Sequence, residues 1–272
     1  MKHLIKTVLF SLTMVVPCAI QADVPTEKTE LSQKKAINMI MEYSGLDEQI
    51  PQISQGIVSS FTQFQERIPQ EVKGKFYNII LLSFDENDMY QVVRKEVEKN
   101  VSLNEAKDML PWYKSVIGME ITDIEKSSGH NPSERQMMME QKEELFSNKN
   151  RLELIEKIDK QYHGTEFALD VQIAVMRSSL KTMKSEIPEK KLEEYLSEMR
   201  EKMKPSMHEM SLLSMLYSYK DIEEDDLRKY INFLEKTTTQ SFLKSVNKGM
   251  LDAIILSTDK MMSEMLKLKQ EV

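Results

Sequence analysis

The residues with the clearest chemical potential are the methionines, which number 21 in a chain of 272 residues. Met199, Met203, Met207 and Met210 recur every three or four residues, so a helix would carry them on one face, with His208 alongside. Thioether sulfur is a soft ligand that suits Cu(I). Methionine also fills irregular gaps between helices and lines surfaces that adapt to several partners. The stripe therefore has two interpretations. It either packs in the core or forms an adaptable apolar surface, or it binds Cu(I) or Ag(I).

The other residue types that do chemistry form no catalytic pattern in this sequence. His130, His163 and His208 are the histidines that follow the leader, and none has the Glu-x-x-His spacing that binds iron or zinc on helices. Adjacent glutamates lie among lysines at helical spacing, which is typical of solvated faces with ion pairs. Seven scattered glycines form no phosphate-binding loop or nucleophile elbow. The sequence predicts a protein that is not an enzyme and uses no cofactor.

Residues 1–22 are interpreted as a cleaved signal peptide. Lys2 and Lys6 precede a short apolar run, and Ala22 stands at the expected cleavage site. The run falls short of the ~20 apolar residues that a membrane-spanning helix needs. Cys18, the single cysteine, leaves with the leader, so the mature chain has no disulfide or thiol chemistry. We expect a periplasmic or secreted protein that begins with an exposed tail at residues 23–30.

The net charge of the chain limits the kinds of partner that it is expected to bind. The chain has 37 basic and 44 acidic residues, and the leader contains two lysines and no acid, so the mature chain has 35 basic residues against 44 acidic ones, a balance of −9. An acidic protein is a poor partner for nucleic acid or an anionic membrane surface. The sequence therefore predicts neither nucleic-acid binding nor stable membrane insertion, and leaves a protein partner or a second copy of the chain.

A pattern at residues 102–118 returns at residues 222–239. Each copy has a polar opening, apolar residues at helical spacing, and then Trp112-Tyr113 or Phe233-Leu234. Ser102 with a glutamate three residues later predicts a capping box, and the tryptophan is expected to be an inward-facing anchor. Other landmarks recur at a constant offset of 119: Tyr43 and Tyr162, Gly45 and Gly164, Pro69 and Pro188, Val97 and Leu216. The sequence therefore predicts an internal duplication.

The predicted fold class is all-α, a multi-helix bundle made of two similar helical repeats. The first repeat is assigned to residues 31–128, and a loop at residues 129–132 separates it from the second, at residues 133–272. Pro111 predicts a kink in the helix that carries the aromatic pair. Asn232 takes the place of that proline in the second repeat, so the matching helix is expected to be straighter and to run on towards the C-terminus.

The C-terminal stretch, residues 249–272, is amphipathic. Its apolar residues fall on one helical face: Leu251, Ile254, Ile255, Thr258, Met262, Met265 and Leu266. This face is expected either to pack on the same chain or to form, through Met262, Met265 and Leu266, part of a groove or a dimer contact.

Residues 102–118 resemble an exported bacterial family known as domain of unknown function 2059. Members have a helix opening of the type Thr-Glu-Glu-Glu-Leu, followed by an aromatic pair, Lys or Arg, Ser, and Gly. The opening at residues 102–105, with Trp112, Tyr113, Ser115 and Gly118, carries the resemblance. The copy at residues 225–239 lacks the Ser and the Gly. The resemblance implies an exported helical fold, here in two copies, and implies no catalytic residue.

These observations favour an exported helical protein with a non-enzymatic binding or structural role. Further methionines cluster at residues 137–139 and 261–265, so an adaptable methionine-rich apolar surface is the expected contact. The alternative function is soft-metal binding through the methionines of residues 199–210.

Overall fold

The computed structural model describes residues 31–62, 70–127, 132–183 and 187–271, which form helices and no strand. The helices in these ranges are α1 (Gln33–Tyr43), α2 (Leu46–Thr62), α3 (Gln70–Ser83), α4 (Glu86–Asn100), α5 (Leu103–Tyr113), α6 (Val116–Ser127), α7 (Pro132–Glu140), α8 (Lys142–Ser147), α9 (Lys149–Tyr162), α10 (Gly164–Met183), α11 (Glu189–Ser218), α12 (Glu224–Leu234) and α13 (Thr237–Glu271). The predicted all-α fold class is confirmed. The predicted leader and tail, His130 and residues 129–131 of the predicted loop lie outside the described residues.

Local capping signals fix several helix ends. The Glu105 carboxylate accepts a hydrogen bond from the backbone N–H of Ser102 at 2.8 Å, while the Ser102 hydroxyl accepts one from the backbone N–H of Glu105, so the predicted capping box is confirmed. Asp85 caps α4 in a similar way. Gly45 has φ +75° at the end of α1, as a glycine after a helix commonly does.

The core of the bundle is organised around α13. This helix packs mainly on α4 and α10, with further contacts to α3 and α5. Phe242, Ala253 and Ile254 of α13 are buried. A Cβ atom at Gly249 would lie 2.7 Å from Cα of Val93, so the glycine permits the close approach of α13 to α4. Elsewhere in the bundle α1 packs on α5, α2 on α4, α9 on α12, and α10 on α11.

The kink expected at Pro111 stays a prediction, and the proline does not end the helix. Pro111 lies within α5, and the chain turns later, at Lys114 and Ser115, before α6 begins. The Ser115 hydroxyl donates to the Trp112 carbonyl at 2.7 Å and accepts from the N–H of Gly118, so it closes one helix and opens the next. A Cβ atom at position 118 would lie 2.0 Å from that carbonyl, which is why glycine occurs there.

The expectation of a straighter helix in the second copy is wrong. α12 ends at Leu234 and α13 begins at Thr237, although Asn232 replaces the proline. The N–H of Lys236 bonds to the carbonyl of Phe233, three residues back, just as the N–H of Ser115 bonds to the carbonyl of residue 112. A proline is therefore not the cause of the interruption. The expected long C-terminal helix is present as α13.

Helix bounds recur at the offsets read from the sequence. Adding 121 to the bounds of α5 gives residues 224–234, the bounds of α12, and adding 121 to the start of α6 gives the start of α13. The contact of α1 with α5 is matched by that of α9 with α12. α11 spans the positions of both α3 and α4. The duplication itself stays a prediction, which a superposition of the two halves tests.

The C-terminal amphipathic face packs largely on the same chain. Ile254 and Thr258 are buried, and so are Met250, Ala253 and Met261, which lie on an adjacent strip of α13. Met262 and Met265 are half-buried, while Leu266 is 42% exposed. The partner contact predicted at these last three residues stays a prediction. None of the helices in the described ranges combines the length and the apolar character that crossing a bilayer requires.

Candidate functional site

A cluster of one carboxylate and three phenols joins α6 to three other helices. The hydroxyls of Tyr219 and Tyr230 each donate to Oε1 of Glu125 at 2.6 Å, and the hydroxyl of Tyr162 lies 3.3 Å from Oε2. Glu125 belongs to α6, Tyr162 ends α9, Tyr219 follows α11, and Tyr230 lies in α12. These four residues, here called the Glu125 cluster, therefore bring together helices from both halves of the chain.

The Glu125 carboxylate is partly shielded from water, since the residue is half-buried. Burial raises the pKa of the Glu125 carboxyl, and the hydrogen bonds from Tyr219, Tyr230 and Tyr162 act in the opposite direction. Burial and the neighbouring carboxylate raise the pKa of each of these three phenols, so the hydroxyls stay protonated and available as donors at neutral pH.

No cation pairs with this carboxylate among the described residues. The salt bridges found in those ranges do not include Glu125. Its chain neighbour Lys126 is directed to Glu48 at 3.2 Å and to Asp123 at 3.1 Å. An ionised carboxylate in this position is stabilised by hydrogen bonds alone, which offset only part of the cost of removing a charge from water.

A cavity of about 180 Å³ adjoins the Glu125 cluster. Its wall is mainly apolar and aromatic, with the carboxylate as its one acidic group: Trp112, Tyr113, Glu125, Phe167, Phe233 and Phe242 are among the residues that line it. In another protein an apolar cavity of about 150 Å³ holds benzene. The space at the centre of this bundle therefore suits a molecule of one small ring.

Trp112 is part of the cavity wall. Its ring stacks on Phe233 with centroids 4.7 Å apart and planes 11° apart, and on Tyr230 at 5.6 Å and 5°. The edge of Tyr113 meets Phe233 at 5.4 Å. The expectation of an inward-facing anchor is thus met by the contacts, although Trp112 keeps part of its surface exposed. The indole reports on the cavity because it is the only tryptophan in the chain.

The methionine stripe lies on α11, as one continuous helix predicts. Met199, Met203 and Met207 are half-buried, and Met210 is exposed. His208 does not lie alongside them, because at about 100° per residue its position on α11 is on the side opposite Met199. Separation of the histidine from the methionines removes one ligand from the predicted soft-metal cluster.

His208 instead faces α9 and α10. Its Nδ1 atom lies 3.2 Å from Oγ1 of Thr165 and 3.6 Å from Oδ2 of Asp159. Asp159 is buried and accepts hydrogen bonds from the N–H and hydroxyl of Thr165 and from the hydroxyl of Ser211. The carboxylate satisfies a backbone donor at the start of α10, so this cluster is a helix cap. His163, expected at a helix end, is the residue that terminates α9, with φ 55°.

A methionine-lined groove lies between α6, α7 and α11. Met138 and Met210 line it together with Ile124 and Tyr217, and its volume is about 470 Å³. Met137 and Met139 are exposed on α7 beside it. Met210 is the member of the predicted stripe that reaches this groove. The remaining described methionine positions predicted as sites, Met262 and Met265, lie elsewhere, on α13.

Sequence reasoning did not find the Glu125 cluster. One signal was present, because Ile117, Ile121 and Glu125 follow each other at intervals of four, which puts an acid on the continuation of an apolar face. The three tyrosines gave no comparable signal, since they are 37, 94 and 105 residues away from the glutamate along the chain. Only the packing of the helices brings them together.

Comparison of the chain with protein-family models, with curated proteins and with solved structures finds no match. The resemblance of residues 102–118 to the domain of unknown function 2059 family stays a prediction. The class that the geometry of the described residues defines is an all-α bundle with an aromatic cavity whose wall includes the carboxylate of Glu125.

Proposed function

We propose that this chain is an exported, non-enzymatic binding protein, and that it binds a small, largely apolar molecule in the cavity beside Glu125. The observation that carries the proposal is the cavity itself, about 180 Å³ of space walled largely by aromatic and apolar side chains where seven helices meet: α2, α5, α6, α9, α10, α12 and α13. Protein interiors are normally close-packed, so a cavity of this size is unusual. Apolar pockets with a few convergent polar groups and a perturbed carboxyl are the places where small ligands bind.

The chemistry of the wall supports binding rather than catalysis. The hydroxyls of Tyr219 and Tyr230 donate to Glu125, and the described residues that line the cavity include no histidine or lysine to exchange a proton with that carboxylate. Ring stacking and apolar burial are the interactions that the wall offers. Such contacts give affinity to an aromatic or compact aliphatic molecule without activating a bond in it.

Titration of the protein with benzene or toluene tests the proposal. We expect saturable binding, a rise in the unfolding temperature and a change in the emission of Trp112, which lines the cavity. Val246→Phe fills part of the space from α13 and should abolish all three effects. Leu256→Phe is the matched control, because residue 256 lies on the same helix and is exposed. Absence of saturable binding to the wild-type protein would contradict the proposal.

A second candidate contact is the methionine-lined groove, which would receive a protein partner or a second copy of the chain. Met138, which is buried, and Met210, which is exposed, line the groove, and Met137 and Met139 are exposed on α7. Methionine suits a surface that must adapt to different side chains. We expect the protein to self-associate as its concentration rises, or to capture an apolar peptide. Met210→Glu should remove whichever of these two activities is observed. An unchanged sedimentation profile and unchanged peptide capture in that variant would rule out the groove.

A further inference from the structure

We infer that the cavity selects a small organic cation, a protonated amine or quaternary ammonium on an apolar or aromatic body, and holds its charge against Glu125. This inference rests on the proposed function, because it specifies the ligand of the same cavity.

The first support is the unpaired charge of the Glu125 cluster. In the described part of the chain the hydrogen bonds to the carboxylate come from phenols: Tyr162 of α9, Tyr219 after α11 and Tyr230 of α12, with Tyr113 of α5 nearby. Three donors hold the two carboxylate oxygens, yet none of these groups carries a positive charge. A buried charge is tolerated when it is paired as well as hydrogen-bonded. A cationic ligand would supply the missing partner.

The second support is the aromatic wall. Trp112, Phe233 and Phe242 line the same space as the carboxylate. The face of an aromatic ring attracts a cation, and the attraction is strongest for tryptophan and when water is excluded. Aromatic rings combined with one acidic group are the arrangement that recognises organic ammonium ions. A metal ion is a poor alternative, since a phenol-bonded carboxylate offers one hard ligand group among apolar neighbours.

The inference also predicts how the affinity for a cation changes with pH. Burial raises the pKa of Glu125, so the carboxyl becomes neutral at a higher pH than an exposed glutamate does. The four phenols around it keep their protons at neutral pH. A cation then binds tightly when the carboxyl is ionised and weakly when it is protonated. Affinity for an amine should fall on acidification, whereas affinity for a neutral molecule of equal size should not.

Three probes of nearly equal size separate charge from shape: benzylamine, benzyl alcohol and benzoate. At neutral pH we expect the wild-type protein to bind benzylamine at least tenfold more tightly than benzyl alcohol, and benzoate least tightly. Repetition at a pH below the ordinary range of a glutamate should remove the preference for the amine. This comparison needs no variant, so it remains decisive even if a substitution at the cluster impairs folding.

Glu125→Gln provides the matched variant, since it keeps the size and an accepting oxygen while removing the charge. In the variant the preference for benzylamine over benzyl alcohol should be lost, so that the ratio of the two affinities falls to about one. Equal affinities of the wild-type protein for the amine and the alcohol would overturn the cation inference and leave the proposed function standing. Failure of all three probes to bind would overturn both.

Discussion

Trp112 and Phe233 stack with ring centroids 4.7 Å apart, and they occupy the same position in the two copies of the repeated pattern. Residues related by a two-fold rotation touch each other only where they lie close to the axis. The stacked pair therefore places the expected pseudo-two-fold axis between α5 and α12, beside the cavity. A duplicated chain would then build its central site from both copies, as the Glu125 cluster does with α6 on one side and α12 on the other.

Superposition of the two halves checks the duplication. One rotation close to two-fold should bring α1, α2 and α5 onto α9, α10 and α12, with Trp112 falling on Phe233. The expectation follows from the shared helix bounds and from the matching contacts of α1 with α5 and of α9 with α12. Different rotations for the three helix pairs would show that the sequence offsets do not reflect a common fold.

Trp112→Ala should lower the free energy of unfolding by about 2–3 kcal/mol, somewhat less than truncation of a fully buried tryptophan costs, because the indole stays partly exposed. Urea denaturation of the two proteins measures the difference. Tyr195→Ala is the control, since Tyr195 is 46% exposed, and its cost should stay below about 0.5 kcal/mol. Equal effects of the two substitutions would show that Trp112 is not an anchor.

Tyr230→Phe removes one donor from the carboxylate without changing the volume of the ring. We expect a loss of about 1–3 kcal/mol, because an acceptor that is enclosed by protein is left with one hydrogen bond fewer. Tyr195→Phe removes an exposed hydroxyl and should be neutral. The same denaturation experiment compares both variants with the wild-type chain, and a neutral Tyr230→Phe would mean that the hydroxyl of Tyr230 does not support Glu125.

The stability of the protein should depend on the ionisation of Glu125. Burial raises the pKa of this group in the folded state above its ordinary value of 4.5, so the folded chain holds the proton more tightly than the unfolded chain does. Its contribution to stability is complete below pH 4.5 and is lost as pH rises through the folded pKa. Glu125→Gln cannot lose this proton, so the stability of the variant relative to the wild type should increase across that interval. Parallel stability curves from pH 4 to 7 would contradict the raised pKa.

Two substitutions on α13 separate packing within the chain from contact with a partner. Met261 is buried, so Met261→Ala should cost about 2–4 kcal/mol of stability. Leu266 is 42% exposed, so Leu266→Ala should leave stability nearly unchanged and weaken self-association if Met262, Met265 and Leu266 form a dimer contact. Denaturation and analytical ultracentrifugation measure the two effects. A monomer whose sedimentation is the same with and without Leu266 would exclude the dimer contact.

Local signals predicted much of the fold, and long-range packing escaped prediction. The capping box at Ser102 and Glu105 depends on residues three apart, so the sequence displays it directly. The turn at Lys114 and Ser115 depends on a serine hydroxyl that donates to the Trp112 carbonyl and accepts from the N–H of Gly118, and the sequence analysis did not predict it. Local sequence patterns were enough to predict the helices. They drew attention to Pro111 and not to Ser115, where the chain turns.

The candidate site could not be predicted from the sequence, and the reason is physical. Methionine attracted attention through its number, yet the acidic residue in the cavity wall is a glutamate that its sequence context hardly distinguishes from the charged residues of helical faces. What distinguishes Glu125 is the set of phenols around it, which come from helices far away along the chain. The burial of a charge is decided by the assembled helices, and only the intervals of four from Ile117 through Ile121 to Glu125 pointed to it in advance.

The most direct measurement is a crystal structure of the protein soaked with bromobenzene, whose bromine is located by its anomalous scattering. Bromobenzene is neutral, so it tests the cavity independently of any preference for cations. We predict one strong bromine peak inside the cavity, in contact with Trp112 and Phe233 and beside the Glu125 cluster. An empty cavity at saturating bromobenzene, or bromine found only in the groove between Met138 and Met210, would contradict the assignment of the binding site.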